Sequence, residues 1–206
     1  MSKKTIIVFT RYPEIGKTKT RLIPAIGAEK AANLQRKMTE QTLQKVSKIK
    51  KNISTDENEI DVKIYYNGGS LLLMQQWLGY NLTLIKQIEG ELGAKMYSAL
   101  ENNYHQNQTS VIIIGIDCPF LDQKILFQAL TAVENHDLVI GKAEDGGYYL
   151  IGLNKPIKEL FDNINWGTDQ VYNQTIQIAQ TLNLSIHNLP ILKDIDRPED
   201  LAFYQL

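Results

Sequence analysis

The feature that most constrains the fold is a continuous apolar run at residues 111–116, in the second half of the chain. A strand with apolar side chains on both faces needs a covering layer on each face, which is typical of a central strand in a largely parallel sheet. A second run, at residues 5–10, is rich in β-branched residues and predicts a buried first strand. The two runs favour a sheet enclosed between layers of helices.

Strand and helix patterns alternate along most of the chain. Further strands are predicted at residues 61–67, 82–87, 138–141, 148–153 and 185–189, and helices at 28–49, 71–78, 91–104, 123–134, 168–182 and 198–203. Ser70 is predicted to cap the helix at 71–78. Such alternation predicts a Rossmann-like, three-layer α/β/α fold with a mostly parallel sheet. Because no helix separates the strands within residues 138–153, we expect a mixed sheet with one antiparallel element. The length suits a single domain, residues 1–206.

Composition excludes several classes of function. Lys and Arg number 22 against 23 Asp and Glu, a formal charge of -1, so no bulk electrostatic attraction to nucleic acid or to an anionic membrane is expected. The single cysteine, Cys118, excludes an internal disulfide and a multi-cysteine metal site. The N-terminal apolar stretch, residues 6–9, is too short for a signal peptide or a membrane span. We therefore predict a cytoplasmic protein.

Residues 16–21 (GKTKTR) place three cations and two hydroxyls in the loop after the first strand. Charge-assisted donors of this kind suit a diphosphate or a triphosphate. The P-loop pattern fails, because Arg11 stands where the upstream glycine is required, and the chain contains no GxGxxG. A solvated basic loop is the competing interpretation.

Asp117 follows the central strand and is a hard oxygen ligand that could hold Mg²⁺ or Mn²⁺ against phosphate oxygens. The competing interpretation is a helix cap near Gln123 or a turn before Pro119. A nucleophilic role for Cys118 is disfavoured, since no histidine lies near it in sequence.

Three further segments each have a structural and a functional interpretation. The Asp145–Gly147 stretch is a strong hairpin signal, but its glycines would also let a ligand approach the backbone. Asp196 with Glu199 forms a capping-box pattern, or Asp196 supplies a second carboxylate to the metal. The run 166–168 (WGT) is either a platform for a sugar or base, or a loop anchor followed by a Thr cap.

The ordered series PEIGKTKTRL, GIDCPFL, EDGGYYLIGL, NWGTDQV and DIDRPEDL, spread over residues 9–201, resembles a bacterial family of glycosyltransferase-like proteins. That family has the GT-A, nucleotide-diphospho-sugar transferase fold and is linked to radical-SAM enzymes and arsenosugar biosynthesis. A more distant similarity extends to the guanylyltransferases of phospholactate and of the molybdenum cofactor. Gly115 removes the Asp-x-Asp of many sugar transferases, and a single Asp followed by Pro is closer to the nucleotidyltransferases.

The resemblance implies a role for each of a set of residues. The nucleotide and its phosphates would be bound by Thr10, Arg11, Lys17, Lys19, Arg21 and Lys95. The metal, Mg²⁺ or Mn²⁺, would be held by Asp117 and Asp196, and the catalytic residues would be Asp145 and Lys19. The acceptor side would be lined by Gly146, Gly147, Trp166 and Thr168. Lys95 stands where the family has Arg and lacks its bidentate fork.

Three functions remain open on the sequence. The first is a metal-dependent glycosyltransferase that takes a nucleotide-diphospho-sugar donor and a small-molecule acceptor. The second is a nucleotidyltransferase that releases pyrophosphate from a nucleoside triphosphate. The third is a catalytically silent protein that binds a nucleotide or a partner.

Overall fold

The computed structural model describes residues 2–53, 58–104 and 110–204, and within them seven strands form one sheet. The strands are β1 (Ser2–Arg11), β2 (Asn58–Asn67), β3 (Thr83–Lys86), β4 (Ser110–Ile114), β5 (Leu138–Ala143), β6 (Tyr148–Leu153) and β7 (Ile186–Leu192). The helices are α1 (Ile23–Ile26), α2 (Ala28–Ile53), α3 (Leu71–Leu78), α4 (Leu92–Tyr104), α5 (Gln123–Ala132) and α6 (Val171–Thr181). Three short 3₁₀ helices lie at Thr20–Leu22, Lys158–Phe161 and Pro198–Phe203.

The strand order is β3-β2-β1-β4-β6-β5-β7. All neighbouring pairs are parallel except those of β6, which runs antiparallel to both β4 and β5. The prediction of a mixed sheet with one antiparallel element is confirmed. From β1 the chain first builds outward through β2 and β3, and then returns to add β4 on the other side of β1.

Two apolar layers cover the sheet, because successive side chains of a strand face opposite sides. On one face, Ile6 and Val8 of β1 pack in a cluster with Leu34 of α2 and Leu126 of α5. On the other face, Ile7 packs in a second cluster that includes residues of α4 and α6. This arrangement confirms the three-layer α/β/α prediction.

Several element ends differ from the sequence prediction. The central strand β4 ends at Ile114, so the residues up to Asp117 belong to the loop that follows it. The helix predicted at 168–182 begins at Val171, and the last predicted helix, at Pro198–Phe203, is a 3₁₀ helix. The cap predicted for α3 is confirmed, since the Ser70 side chain accepts from the Leu73 N–H. None of the helices in the described ranges has the length and apolar character needed to cross a bilayer.

Candidate active site

A cleft of about 1130 Å³ lies over the carboxyl ends of the strands. The cleft includes the loops that follow β1 and β4. These two strands are neighbours in the sheet, but after β1 the chain continues towards one edge of the sheet and after β4 towards the other edge. Ligands of open α/β sheets bind at such a switch point, where the two loops separate. Of the predicted site residues, the cleft is lined by Thr10, Arg11, Lys19, Arg21, Lys95, Asp117, Asp145, Gly147, Trp166, Thr168 and Asp196.

The Lys19 side chain links the loop after β1 to two segments that are distant in the sequence. Its Nζ lies 2.7 Å from Asp117 Oδ1 and also donates to the main-chain oxygen of Ile195. The Lys19 side chain is 4% exposed, and its backbone adopts the left-handed conformation (φ 49°, ψ 43°). A non-glycine residue rarely adopts this conformation unless its surroundings hold it there. The loop after β1 is therefore fastened to the loop after β4 and to the C-terminal segment.

A second ion pair lies nearer the solvent. Arg21 Nη1 donates to Asp196 Oδ2, and this bond together with the carboxylate charge raises the pKa of Arg21. The Arg21 side chain is 60% exposed, in contrast to Lys19. We call the four residues Lys19, Arg21, Asp117 and Asp196 the charged end of the cleft. Its two carboxylates are the predicted metal ligands, and its two cations are predicted phosphate ligands.

Neither carboxylate of the charged end is used as a helix cap. Asp122, not Asp117, caps α5, because its side chain accepts from the Ile125 N–H at 2.8 Å. At the C-terminal 3₁₀ helix, Asp200 Oδ2 accepts from the main-chain N–H groups of Asp196 and Arg197. The capping-box interpretation of Asp196 with Glu199 is therefore wrong, and Asp196 is left to face the cleft.

The loop between β5 and β6, residues 144–147, is a tight turn in which Asp145 lines the cleft. Asp145 is exposed, and its Oδ1 accepts from the Gly147 N–H at 2.8 Å. Gly146 is buried with φ 91°, and a Cβ placed there would lie 2.2 Å from the main-chain oxygen of Asp169. Gly146 is thus required for packing against the main chain of Asp169. It does not line the cleft, contrary to the prediction from the sequence.

Trp166 and Thr168 act as loop anchors as well as lining the cleft. The Trp166 ring packs edge-on against Tyr148 at 6.3 Å between centroids. Thr168 Oγ1 donates to the Asn165 oxygen at 2.7 Å and accepts from the Gln170 N–H. The structure therefore shows the loop anchor, although Thr168 precedes the helix instead of capping it, and the platform for a sugar or base stays a prediction.

The predicted nucleotide ligands differ in where their side chains lie. Lys17 is directed to solvent, 71% exposed and paired with Glu14 at 2.7 Å, so it does not reach the cleft. The Thr10 hydroxyl is buried and bonded to Thr39 Oγ1 at 2.8 Å. Arg11 is exposed, and its Nη1 donates to the Lys17 oxygen at 3.2 Å.

Lys95 is half-buried in the wall of the cleft. Cys118 also lines the cleft, but burial raises the pKa of its thiol. This disfavours a thiolate and agrees with the prediction that Cys118 is not a nucleophile.

The sequence interpretation gave no role to several cleft residues. Asp194 lines the cleft, and its pKa is raised to about 6 by burial and by the charges of Asp145, Asp200 and Asp196. The sequence did contain a signal for placing Asp194 in the cleft. Asp194 lies two residues before Asp196 in an extended segment, and alternate residues of such a segment share a face. Three uncharged side chains were also missed: Gln35, Asn67 and Gln87. We call these three the amide end of the cleft.

The donor set of the charged end fits Mg²⁺ or Mn²⁺ in part. Asp117 and Asp196 offer hard carboxylate oxygens. The pKa of Asp194 is raised first by burial and then by the charges of Asp145, Asp200 and Asp196, and a divalent cation would offset those charges. Within residues 2–53, 58–104 and 110–204, no three His, Cys, Asp or Glu side chains converge into a metal site. A cation here would therefore depend on phosphate oxygens and water for its remaining ligands, which is usual for Mg²⁺.

The fold is shared with solved structures that include a provisionally described nucleotide-diphospho-sugar transferase and nucleotidyltransferases. The chain belongs to a family described as "uncharacterized protein conserved in bacteria" (DUF2064), whose profile matches residues 52–168. A Desulfovibrio desulfuricans G20 protein, provisionally described as a nucleotide-diphospho-sugar transferase, is similar over most of its length. It is 32% identical with a TM-score of 0.87, over 96% of this chain and 84% of that chain.

More distant structures share the fold. The 4-diphosphocytidyl-2C-methyl-D-erythritol synthase of Anaerococcus prevotii is 13% identical, with a TM-score of 0.61 over 98% of this chain and 94% of that chain. Rv0371c of Mycobacterium tuberculosis H37Rv, solved in complex with manganese, is 12% identical, with a TM-score of 0.58 over 98% and 97%. Among curated proteins, none matches this chain.

Proposed function

We propose that the protein is a metal-dependent transferase that takes a nucleotide-diphospho-sugar as its donor and passes the sugar to a small-molecule acceptor. The observation that carries this proposal is the charged end itself. There, two cations from the loop after β1 meet two carboxylates, one from the loop after β4 and one from the C-terminal segment. The similarity to the Desulfovibrio protein favours the same donor class.

The roles of the charged end follow from its pairs. Asp117 and Asp196 would hold Mg²⁺ or Mn²⁺, and a bound cation supplies charge neutralisation for a leaving diphosphate. Lys19 and Arg21 then lie beside the same phosphates, and their ion pairs hold them in place before the donor arrives. Such preorganised charge is the main source of catalysis in reactions of this kind. The manganese in Rv0371c supports the choice of metal by analogy of fold.

The acceptor side is proposed to lie between the 144–147 turn and the 166–168 loop. Asp145 is exposed in the cleft and could orient or deprotonate an acceptor hydroxyl. Gly147 and the Trp166 ring would form the adjoining surface. The link to radical-SAM enzymes and arsenosugar biosynthesis, implied by the sequence resemblance, remains a prediction, as does the view that residues 1–206 act as one cytoplasmic domain.

A nucleotidyltransferase is the alternative, favoured by one specific feature. Position 115 is glycine, so Asp117 has no carboxylate two residues before it, as it would in an Asp-x-Asp motif. In this alternative the same cleft would hold a nucleoside triphosphate, and the acceptor would attack the α-phosphate with release of pyrophosphate. The synthase from Anaerococcus prevotii shows that the shared fold accommodates a cytidylyl-type enzyme.

The test is thermal unfolding against nucleotide-sugars and nucleoside triphosphates, each with Mg²⁺, Mn²⁺ or EDTA. A ligand at about 100 times its dissociation constant should add roughly 2.7 kcal/mol and raise the melting temperature by several degrees. A metal-dependent shift with a nucleotide-sugar supports the proposal. A shift confined to a triphosphate, with pyrophosphate formed on adding acceptors, selects the alternative. Binding that needs no metal and survives Asp117→Ala indicates a silent nucleotide-binding protein.

A further inference from the structure

Three side chains form an aromatic wall at one side of the cleft: Trp166, Tyr148 and Met96. The Trp166 and Tyr148 rings meet edge-on, with 6.3 Å between their centroids. The Tyr148 hydroxyl donates to Met96 Sδ at 3.8 Å, so it is directed into the protein. Trp166 and Tyr148 are half-buried, and all three residues line the cleft. The wall therefore offers ring surface to a ligand in the cleft.

The start of α4 fixes the position of the Trp166 ring. A Cβ added at Gly93 would lie 2.8 Å from Trp166 Cζ2 and 2.9 Å from Trp166 Nε1. Side-chain carbons do not approach other atoms so closely, so the indole fits here because residue 93 has no side chain. A ring that is already held in place loses little conformational freedom when a ligand stacks on it.

Two carboxylates lie beside the wall, because the segments that carry them are packed together. Gly146 lies against the main chain of Asp169, since a Cβ at position 146 would be 2.2 Å from the Asp169 oxygen. This contact joins the chain that carries Asp145 and Tyr148 to the loop that carries Trp166. The side chains of Asp145 and Asp169 are exposed and line the cleft. Apolar ring surface and hydrogen-bond acceptors are therefore neighbours in this part of the cleft.

The wall also borders the charged end. The pKa of Asp194 is raised first by burial and next by the charge of Asp145. The pKa of Arg21 is raised mainly by Asp196 and, to a smaller extent, by Asp145. Asp145 is thus within electrostatic reach of the residues proposed to hold the diphosphate. A sugar joined to that diphosphate, or a sugar that accepts the transferred group, would lie beside the wall, whereas a base is separated from the diphosphate by the ribose.

We infer that the aromatic wall binds the ring of a sugar. One face of a sugar ring is rich in C–H groups and stacks on an aromatic ring, and the hydroxyls at its edge donate to carboxylates. A nucleotide base also stacks, but its edge carries acceptors that two carboxylates would repel. The sugar belongs either to the donor or to the acceptor, and the experiment separates these two sources. The inference rests on the proposed function, because it requires that the cleft bind a nucleotide-sugar.

The test uses the fluorescence of Trp166 in the full chain. The chain has two tryptophans, and Trp77 lies outside the cleft, so Trp77→Phe leaves Trp166 as the reporter. In Mg²⁺, the diphosphates UDP, GDP and ADP are compared with UDP-glucose, GDP-mannose and ADP-glucose. A donor sugar at the wall should change the Trp166 emission with the nucleotide-sugar but not with its diphosphate. An acceptor sugar should change it when methyl glucoside or methyl mannoside is added to the diphosphate-bound protein.

Either change in emission supports the inference. An equal change with the diphosphate alone and with the nucleotide-sugar identifies the wall as a platform for the base and overturns the inference. Unchanged emission in every arm, while calorimetry shows that the nucleotides bind, also overturns it.

Variants of Trp166 then test the wall as a ring surface. The quantity measured is the affinity for the nucleotide-sugar divided by the affinity for its diphosphate or, for an acceptor sugar, the affinity of the diphosphate-bound protein for the glycoside. Trp166→Ala should lower this quantity about tenfold, as expected for truncation of a tryptophan contact. Trp166→Phe should restore most of the loss, because a ring remains. The control, Trp77→Phe, should leave the quantity unchanged. The same value in Trp166→Ala as in the native protein overturns the inference.

The outcomes for the two proposals are distinct. If nucleotide-sugars bind with Mg²⁺ but neither the emission nor the affinity depends on a sugar at Trp166, the inference is wrong while the proposed transferase function stands. If no diphosphate and no nucleotide-sugar binds, the proposed function itself fails, and the inference fails with it.

Discussion

The charged end and the amide end of the cleft satisfy their polar groups in different ways. In the charged end, side chains from distant segments pair with one another, as in Lys19 with Asp117 and Arg21 with Asp196. In the amide end, Gln35 and Gln87 donate to the main-chain oxygens of Arg11 and Tyr65. The charged end therefore links segments that are distant in the sequence, whereas the side chains of the amide end are held by the main chain.

The largest effect is expected from Asp117→Asn, which tests whether the charged end performs the chemistry. Losing this carboxylate should lower transferase turnover about 100-fold and remove the metal-dependent rise in melting temperature. The matched control is Asp122→Asn, the same charge change five residues later, which keeps a good cap on α5 and should alter neither. Equal losses in the two variants would contradict a special role for Asp117.

Lys19→Met should give the next largest effect, measured as the free energy of unfolding in urea. We expect a loss of about 2 kcal/mol, because the Lys19 side chain is 4% exposed and Asp117 would lose its partner. The loss should stay below that of a fully buried pair, since Asp117 is 51% exposed and can be rehydrated. Lys17→Met, at an exposed pair, should change stability by less than about 0.5 kcal/mol. If both variants behave alike, Lys19 does not fasten the loop.

Gln35→Met tests whether the amide end is stabilised by uncharged hydrogen bonds, in contrast to the ion pairs of the charged end. It removes donations to Thr10 and Arg11 from a buried position and should cost about 1.5 kcal/mol. Because no charge is involved, this loss should be the same at low and high salt, as judged from urea unfolding in 0.05 M and 1 M NaCl. A strongly salt-dependent loss would show that the two ends do not differ as described.

Asp200→Ala examines how the C-terminal segment presents Asp196. Losing the acceptor for two main-chain N–H groups should cost about 1 kcal/mol. Glu199→Ala should have an effect within about 0.5 kcal/mol, since Glu199 is exposed and Asp200 is the capping residue. The reverse ranking of these two variants in thermal unfolding would restore the capping box predicted from the sequence.

The smallest effect is expected from Arg21→Met. The Arg21 side chain is 60% exposed, so its pair with Asp196 should contribute only about 0.5 kcal/mol in dilute buffer. In 1 M NaCl the difference from the native protein should vanish, because the screening length falls to about 3 Å. A loss that persists at 1 M NaCl would place this pair with Lys19 instead of with ordinary surface pairs.

The fold was largely predictable because its signals are local. The apolar run before Gly115 required a strand buried on both faces, and the missing helix between β5 and β6 required an antiparallel neighbour. The Ser70 cap was also correct, since a cap depends only on residues three apart. The errors lie at element ends, such as the helix that begins at Val171, where tertiary contacts compete with local preference.

Most of the predicted residues do line the candidate site, but the sequence did not predict which side chains contact one another. Lys17 and Lys19 are equivalent in the sequence, yet one is paired with Glu14 at the surface and the other with Asp117 in the cleft. Likewise, the sequence could not reveal that Asp200 caps the last 3₁₀ helix and leaves Asp196 for the cleft. Gln35 carried no signal at all, because an amide within a long helix is indistinguishable from a surface residue.

By itself, the sequence determined the α/β layering, the mixed character of the sheet and the loops in which charged residues gather. These follow from hydrophobic period and turn chemistry, which act over a few residues. The tertiary structure alone decided the strand order that puts the loops after β1 and β4 at one switch point. It also decided the contact between Lys19 and Ile195, 176 residues apart, and the donations of Gln35 to Thr10 and Arg11. Such features depend on how the layers pack, and no local pattern encodes them.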